Sequence, residues 1–528
     1  HTKYASSDYT KQGEYSSSKS RSWRYTMNTG IAYALSLNDH NLTFNGRAEI
    51  RSTSSNTESF VATGFPKGVG AIPSFAYSFK ENSTPGYSES ISRGVSFLGT
   101  FNYNYKYRYL FDASLSSDGS TSFGRDKKFQ TFWSVGAGWN VSKESFAKDW
   151  DWMQELKLRG SFGSNGNQNV SNLTSNVYSY YAGSDIFGTA SYLSGYANPN
   201  LEWQVVKKTS VGIDLMFWDN RLLLTMDYYH TNTNPLVVSI QQKPSSGLST
   251  LPINLGHLNT NGFEFNVSWY AIRNLEKRIM LNFRLNGNTY KSVYGGFGEA
   301  LANLNDAYKK DSSVDSKLNV NSMIQYQDGE SPTALFAVRS LGIDPATGKE
   351  VFLTKNGTPT FDYNADDRVK IADTNPKIRG VFGISFTYKN LQASVNLRYN
   401  LGSFAFNSAL FNKVENISAS NIAYNQDKRA LYSRWQNAGD VSQFKGISLT
   451  TQTPISSRFV QRDNYLRGES ARISWDFSRD EWIKRLFLKD LRFNVSFNDF
   501  FDLSEMKRER GTDYPFQRAI SFGLSARF

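Results

Sequence analysis

The densest group of side chains that could bind a metal ion lies in an acidic segment near residue 365. Asp362, Asn364 and Asp366 occupy alternate positions, and Asp373 is the twelfth residue counted from Asp362. Oxygen ligands at alternate positions of a tight turn suit calcium, as in EF-hand loops. However, Asp367 stands where such loops need glycine, and aspartate replaces the usual glutamate at position twelve. Two interpretations stay open, a calcium site at the first three residues or a solvated acidic loop, and these departures favour the loop.

The other residue types give little support to an enzyme. The four histidines, His1, His40, His230 and His257, are far apart in the sequence, and no HExxH motif occurs. The chain also lacks a GxSxG motif, which would place an activated serine on a sharp turn. It has no cysteine, which excludes disulfides, thiolate metal sites and cysteine nucleophiles. We therefore predict that the chain is not an enzyme and has no cofactor apart from the possible calcium ion.

The composition indicates a membrane barrel. The mean hydropathy is −0.50, and there is no run of 18 apolar residues, so a spanning helix is not expected. Yet aromatic residues make up 15% of the 528 residues, with 38 Phe, 30 Tyr and 11 Trp. Outer-membrane barrels combine these properties because their outer face is apolar, their lumen is polar and aromatic girdles lie at both interfaces. The net charge of +12 is spread along the chain without a basic helix or arm, so nucleic acid is not an expected partner.

Apolar and polar residues alternate in many segments, which is the pattern of β-strands with two unlike faces. The clearest examples are residues 491–498 and 520–528, where aliphatic and phenylalanine side chains alternate with Ser, Asn, Gly and Arg. The polar face is too hydrophilic to pack against a second sheet. One sheet wrapped around water satisfies both faces, and its closure leaves no unpaired edge in lipid.

About fifteen segments carry this pattern, and the connections between them alternate between short and long. Short turns at one end and long loops at the other are typical of outer-membrane barrels. We therefore predict an all-β fold, a transmembrane antiparallel β-barrel with long extracellular loops. The segments lie near residues 22–37, 41–57, 92–106, 107–118, 131–141, 154–164, 204–217, 220–233, 260–272, 277–290, 377–389, 390–402, 465–478, 486–499 and 517–528.

An odd number of strands cannot close as a simple antiparallel barrel whose termini lie on the same side. We therefore expect residues 1–528 to be the C-terminal part of one barrel domain. About seven strands would be missing on the N-terminal side if the full barrel has about 22, a size typical of plugged transporters. No plug domain is expected within this chain.

A series of motifs resembles one family along nearly the whole chain. The segment 102–120, NYNYKYRYLFDASLSSDGS, looks like a tyrosine-rich strand pair that leads into an Asp-Gly-Ser turn, with Tyr103, Tyr105 and Tyr107 on one face. Each motif alone is weak, but their order resembles that of SusC/RagA-type TonB-dependent outer-membrane transporters. The others are LKLRGSFGSNGNQ (156–168), NPNLEW (198–203), NLGHLNTNGFEF (254–265), LGIDPATG (341–348), RWQNAGD (434–440) and DNYLRGESARISWDF (463–477).

The resemblance implies the function and the partners. Such proteins of the Bacteroidota outer membrane import oligosaccharides or peptides, usually with a SusD-like lipoprotein lid. Their plug domain and the segment that contacts TonB lie in the N-terminal region, which would be a further partner of this chain. Outer-membrane lipid and lipopolysaccharide would surround the barrel. A scaffold role in a larger outer-membrane assembly and a passive porin remain alternatives, and the sequence does not distinguish glycan from peptide as the substrate.

The long loops are the expected substrate-binding regions, because mobile loops on a rigid scaffold commonly carry binding residues. They are residues 165–203, 291–376 and 403–464. The terminal residue Phe528 ends an alternating strand and resembles the C-terminal signal that directs barrel assembly. It would otherwise be a lipid-facing girdle residue, and both roles are compatible.

Overall fold

Fifteen strands form one large antiparallel sheet in a computed structural model of the chain. Each strand pairs with the next one along the chain, as the predicted barrel wall requires. The strands are β1 Glu14–Leu37, β2 His40–Thr63, β3 Gly86–Tyr105, β4 Tyr109–Ser120, β5 Phe129–Asn140, β6 Met153–Asn167, β7 Gln204–Phe217, β8 Leu222–Thr233, β9 His257–Asn274, β10 Ile279–Gly295, β11 Ile378–Tyr388, β12 Leu391–Leu401, β13 Tyr465–Asp476, β14 Asp490–Ser504 and β15 Ala519–Arg527. The structure describes residues 13–66, 68, 72–80, 84–121, 123, 128–167, 177–185, 188–195, 198, 200–241, 250–298, 305, 323–417, 419, 422, 425–448, 451–485, 487–506 and 518–527.

The predicted strand count and all fifteen strand positions are confirmed, and short and long connections lie at opposite ends of the sheet. We call these the turn end and the loop end. Several turns at the turn end use a left-handed backbone, for example Asn38 with φ of 49° and Lys389 with φ of 53°. Two-residue hairpins favour this conformation because its twist matches that of the strands. The connections at the loop end are residues 64–85, 121–128, 168–203, 234–256, 296–377, 402–464 and 505–518.

The two faces of the sheet differ where the strands alternate, as two neighbouring cross-strand rows show. One row on the outer face is entirely apolar, whereas the row beside it on the lumen face consists of hydroxyl, amide and guanidinium side chains. Period-two geometry puts successive residues of each strand on opposite faces, so these two rows differ by one residue in each strand. The outer row is Phe283, Ile384, Val395, Ala471, Phe497 and Ile520, and the lumen row is Asn282, Ser385, Ser394, Arg472, Ser496 and Ser521.

The edge strands β1 and β15 are not joined to each other among the described residues. β1 pairs with β2 through all 24 of its residues, and its other edge carries no ladder. Among the described residues the strands therefore form a wall whose two edge strands each have one neighbour. That residues 1–528 are the C-terminal part of one barrel domain stays a prediction.

One predicted turn is wrong. Asp118-Gly119-Ser120 ends β4, where Asp118 pairs with Ser96 and accepts a hydrogen bond from its hydroxyl. The turn between β3 and β4 is at residues 106–108, so Tyr107 lies in the turn and not on the face of Tyr103 and Tyr105. Gly119 is needed for packing instead, because a Cβ there would lie 2.6 Å from the ring of Phe129.

The loop-end connections contain secondary structure of their own. Strand Ser78–Phe79 extends the edge of β2, and the other loop strands form small separate sheets. These strands are Val177–Asp185 with Gly188–Gly195, Val237–Gln241 with Thr250–Asn254, Ala334–Ala337 with Val369–Asp373, Arg339–Ile343 with Glu350–Leu353 and Pro359–Thr360, and Phe404–Phe406 with Val460–Arg462.

The helices that the structure describes are short and lie in connections between the strands. In the part of the chain that the structure describes, no helix is long and apolar enough to cross a membrane. The helices are the 3₁₀ turns Pro73–Phe75, Val141–Lys143, Ser145–Ala147, Ala365–Asp367 and Ser457–Phe459, the π-helix Leu410–Glu415, and the α-helices Arg429–Tyr432 and Glu481–Arg485.

The assignment of faces can be tested on two neighbouring residues of β11. Replacing Ile384 with lysine puts a charge into the lipid, and we expect the free energy of unfolding to fall by about 2–4 kcal/mol. Ser385→Lys places the same charge on the hydrated lumen face and is expected to change stability little. Urea unfolding of the complete transporter in lipid vesicles measures both, and equal losses would contradict the assignment.

Candidate functional site

The residues predicted to bind calcium lie together in one turn, and the side chain of one of them, Asn364, is bonded to the turn's backbone. Asn364 caps the 3₁₀ turn Ala365–Asp367, and its side-chain oxygen accepts a hydrogen bond from the Asp366 backbone at 3.0 Å. Asp367 accepts from the Lys355 backbone at 2.9 Å. Among the described residues, no group of three His, Asp or Glu side chains is arranged to hold a metal ion. Calcium binding at Asp362, Asn364 and Asp366 stays a prediction. Phe528 lies outside the described residues, and its role in assembly also stays a prediction.

Two of the predicted binding loops fold together into one unit, which we call the loop module. It consists of residues 323–377, between β10 and β11, and residues 402–464, between β12 and β13. Its hydrophobic core has side chains from both segments, with the rings of Phe411 and Phe459 4.9 Å apart. These loops are therefore ordered by their own core. The buried core residues are Met323, Leu335, Ala337, Phe406, Phe411, Val414, Ile417, Ala430, Phe444, Ile455 and Phe459.

A buried ionic network joins the two segments of the loop module. Arg458 donates to Glu350 at 2.9 Å and to Glu415 at 2.8 Å, so one guanidinium bridges both segments. The hydroxyls of Ser456 and Thr453 donate to the same two carboxylates, at 2.5 and 2.9 Å. Burial lowers the pKa of Arg458, but the two carboxylates outweigh it and the net pKa shift is upward. The arginine therefore stays charged, as a group between two buried carboxylates must.

Two of the sequence motifs meet in this module. Trp435, from RWQNAGD, donates from its indole nitrogen to the backbone oxygen of Pro345, in LGIDPATG, at 2.8 Å. Its ring lies against Gly348, where a Cβ would come within 2.4 Å. Arg434 beside it is buried and donates to four backbone carbonyls, including that of Lys445 at 3.0 Å. These contacts give a structural reason for the motifs.

A polar pocket of about 640 Å³ lies in the lumen wall, close to where β11, β12 and β13 meet the loop module. It is built on a cross-strand row that runs over six strands and changes from acidic to basic along its length. Asn288 lies between Glu264 and Arg379 in this row. The row is Asp227, Glu264, Asn288, Arg379, Asn400 and Tyr465.

Aromatic rings border the row on its loop-end side. The guanidinium of Arg379 lies over the ring of Tyr290, 5.6 Å from its centroid, and its Nε donates to Asn288 at 3.2 Å. On the neighbouring strands, the ring of Tyr229 lies across Gly262, where a Cβ would be 2.4 Å from the tyrosine hydroxyl. Aromatic rings thus line the loop-end side of the charged and amide groups. This arrangement can bind a polar ligand that also has some apolar surface.

Sequence reasoning did not find this pocket. Glu264, Asn288 and Arg379 are separated by up to 115 positions and belong to no motif of charged residues. The signal that could have found them is register. Alternate residues of a strand share a face, so the distance of each residue from its turn predicts that all three lie on the lumen face at similar levels along the strands. A single bulge in one strand would shift its register and change that prediction.

The fold and the pocket define a class of protein before any comparison is made. A sheet with an apolar outer face, a polar lumen face and folded loops at one end is the wall of an integral outer-membrane β-barrel. The profile of the family described as "TonB dependent receptor-like, beta-barrel" matches residues 1–330, more than half of the 528 residues. The chain therefore belongs to this family and is an integral protein of the outer membrane.

The curated relatives that match this chain are TonB-dependent receptors and include SusC, in agreement with the family that the motifs predicted. TonB-dependent receptor P3 of Formosa agariphila is 26% identical over 436 residues, which cover 80% of this chain and 41% of the relative. TonB-dependent receptor SusC of Bacteroides thetaiotaomicron is 25% identical over 459 residues, which cover 82% and 44%. The chain thus spans less than half the length of these curated relatives.

Solved structures show the same fold. A structure of the RagAB peptide importer in its "open-open" state superposes with a TM-score of 0.80 at 19% identity, covering 98% of this chain and 56% of that one. Another structure of the RagAB peptide transporter gives 0.78 at 18% identity, covering 94% and 53%. The similarity extends over almost all of this chain and about half of the solved chain.

The ionic network of the loop module gives a specific prediction. Arg458→Ala leaves two buried carboxylates without their cation, and we expect this to destabilise the module by about 3–5 kcal/mol. Lys370→Ala is the control, because its ion pair with Glu330 is partly exposed and such pairs contribute about 0–1 kcal/mol.

Limited proteolysis of the assembled transporter, followed by mass spectrometry, measures this effect. Cleavage within residues 323–377 and 402–464 should accelerate in Arg458→Ala, while the strands stay protected. Unchanged cleavage would mean that the apolar core alone holds the module.

Proposed function

We propose that this chain forms most of the barrel wall of a TonB-dependent importer, which moves a nutrient across the outer membrane. The nutrient is an oligosaccharide or a peptide. The partners are a SusD-like lipoprotein lid at the loop end and the N-terminal portion of the same transporter, which carries the plug and the segment that contacts TonB. The proposal assigns no chemical reaction to the chain. The polar pocket at the lumen mouth, directly beside an ordered loop module, is the observation that carries the proposal.

The open edges support the need for a further barrel portion. In hydrocarbon, each unpaired backbone N–H or C=O costs several kcal/mol, so an exposed strand edge does not persist there. β1 and β15 each lack a neighbour on one side among the described strands. An N-terminal portion that contributes about seven strands would pair with both edges and give a barrel of about 22, the size expected for a plugged transporter.

The loop module supports a partner at the loop end. Its core and ionic network keep it folded, so it offers a fixed surface. Several apolar side chains on this surface stay exposed, among them Tyr432 at 79% and Val441 at 93%. Exposed apolar side chains on a rigid element are suited to protein contacts. A lid that docks there would enclose ligand between itself and the pocket.

Energy coupling tests the proposal against a passive porin and a scaffold. We expect uptake of the nutrient by intact cells to stop when a protonophore removes the proton-motive force, because import of this class depends on TonB. A matched strain without the gene sets the background. Uptake that continues with the protonophore would indicate a porin. A deletion strain that grows normally on every nutrient, while non-lid partners co-purify, would indicate a scaffold.

A further inference from the structure

Two charged side chains of the pocket have no ionic partner, although the other charges beside them do. Asp227 is bound by Arg159 at 3.1 Å, and Arg398 is bound by Glu469. Glu264 makes no hydrogen bond or ion pair with another described residue, and Arg379 has only the amide of Asn288 as its hydrogen-bond partner among them. The pocket therefore presents to the lumen one carboxylate and one guanidinium that have no ionic partner among the described residues.

Their separation follows from the sheet. Glu264 is in register with Asn288, and Asn288 is in register with Arg379, so two strand spacings lie between the charges. Neighbouring strands are about 4.8 Å apart, which gives about 10 Å between the backbone positions of Glu264 and Arg379. The side chain of Arg379 reaches toward the strand of Asn288, yet it forms no ion pair with Glu264. A hydrogen-bonding amide lies between them.

The guanidinium of Arg379 is held in an orientation that favours a planar anion. Its Nε donates a hydrogen bond to Asn288, and the guanidinium lies over the ring of Tyr290, which restricts its orientation. The two terminal nitrogens have no partner among the described residues. Paired N–H groups of arginine match the two oxygens of a carboxylate, and such charge-assisted pairs are among the stronger hydrogen bonds in proteins.

We propose that this pocket binds a zwitterionic ligand, with its cationic amine at Glu264, its carboxylate at Arg379 and its central part against Asn288. The inference rests on the proposed function and narrows its substrate class. A short peptide with free termini carries both charges, separated by about 3.3–3.6 Å for each extended residue. A neutral oligosaccharide has neither charge and cannot pair with Glu264 or Arg379. We therefore assign a short peptide as the ligand.

Blocking the ligand's charges one at a time tests the proposal on the complete transporter with its lid. The probes are trialanine with free termini, its N-acetyl form and its C-terminal amide, and binding is measured by calorimetry. We expect each block to weaken binding about tenfold. In Glu264→Gln, acetylation should no longer matter, whereas amidation still should. In Arg379→Gln the pattern should reverse.

Arg472→Gln is the matched control. Arg472 lies on the same lumen wall, outside the pocket, and its guanidinium is bound to Ser496. This variant should bind all three probes as the unchanged protein does. If a pocket variant does not assemble, the comparison of free and blocked peptides on the unchanged protein still decides the question.

Three results would overturn the inference. Free and blocked peptides could bind equally well, or both pocket variants could lose all probes alike, as expected if the plug portion occupies Glu264 and Arg379. Capture of a neutral oligosaccharide in place of peptide would also exclude it. Energy-dependent import of that oligosaccharide would leave the proposed function intact, whereas the absence of any energy-dependent import would reject the function itself.

Discussion

The need to pair every backbone N–H and C=O group within the hydrocarbon governs the rest of this structure. Water cannot satisfy these groups in lipid, so each strand must have a neighbour on both sides. Among the described strands, β2 to β14 each pair antiparallel with a neighbour on both sides, whereas β1 and β15 have one neighbour each. Irregular backbone is then confined to the two ends of the sheet. That is why the elements able to recognise a ligand or a lid are concentrated in the loop end and in the lumen face below it.

The same constraint explains what the sequence could predict. All fifteen strands could be located because a strand with lipid on one side and water on the other must alternate, and alternation is a local pattern. Their lengths were less predictable. β1 begins at Glu14, eight residues before the alternating segment at 22–37, because residues 16–20 are polar on both faces while backbone pairing continues. Alternation therefore marks the part of a strand that faces lipid, and pairing extends beyond it.

The loop module and the charged row could not be predicted for a different reason. Glu350 and Arg458 are 108 residues apart. The aromatic rings in the core of the loop module follow no period, because the elements that carry them are only three to six residues long or irregular. Glu264 and Arg379 meet only through the register of three strands. Such arrangements depend on which segments become neighbours in space, and the spacing of residues along the sequence does not indicate these long-range contacts. The motifs LGIDPATG and RWQNAGD gave a partial indication of the loop module, because Trp435 of the second motif contacts Pro345 and Gly348 of the first.

The buried apolar side chains and the buried ion pairs of the loop module differ in how much they stabilise it, and this difference indicates the role of the ionic network. Each large apolar side chain buried in the loop module contributes about 1.5–3 kcal/mol, so the apolar core is the main stabilising contribution to the module. A buried ion pair often contributes little more than apolar residues of the same volume, because desolvation offsets attraction.

The ionic network instead contributes to the specificity with which the loop module folds. Arg458 finds both carboxylates only when the segments from β10–β11 and β12–β13 are aligned, and an error in that alignment leaves charges buried without partners. Since these four strands also contribute Asn288, Arg379, Asn400 and Tyr465 to the charged row, the alignment of the loops fixes the shape of the pocket mouth. The network thus connects the order of the loop module to the geometry with which the lumen wall meets a ligand.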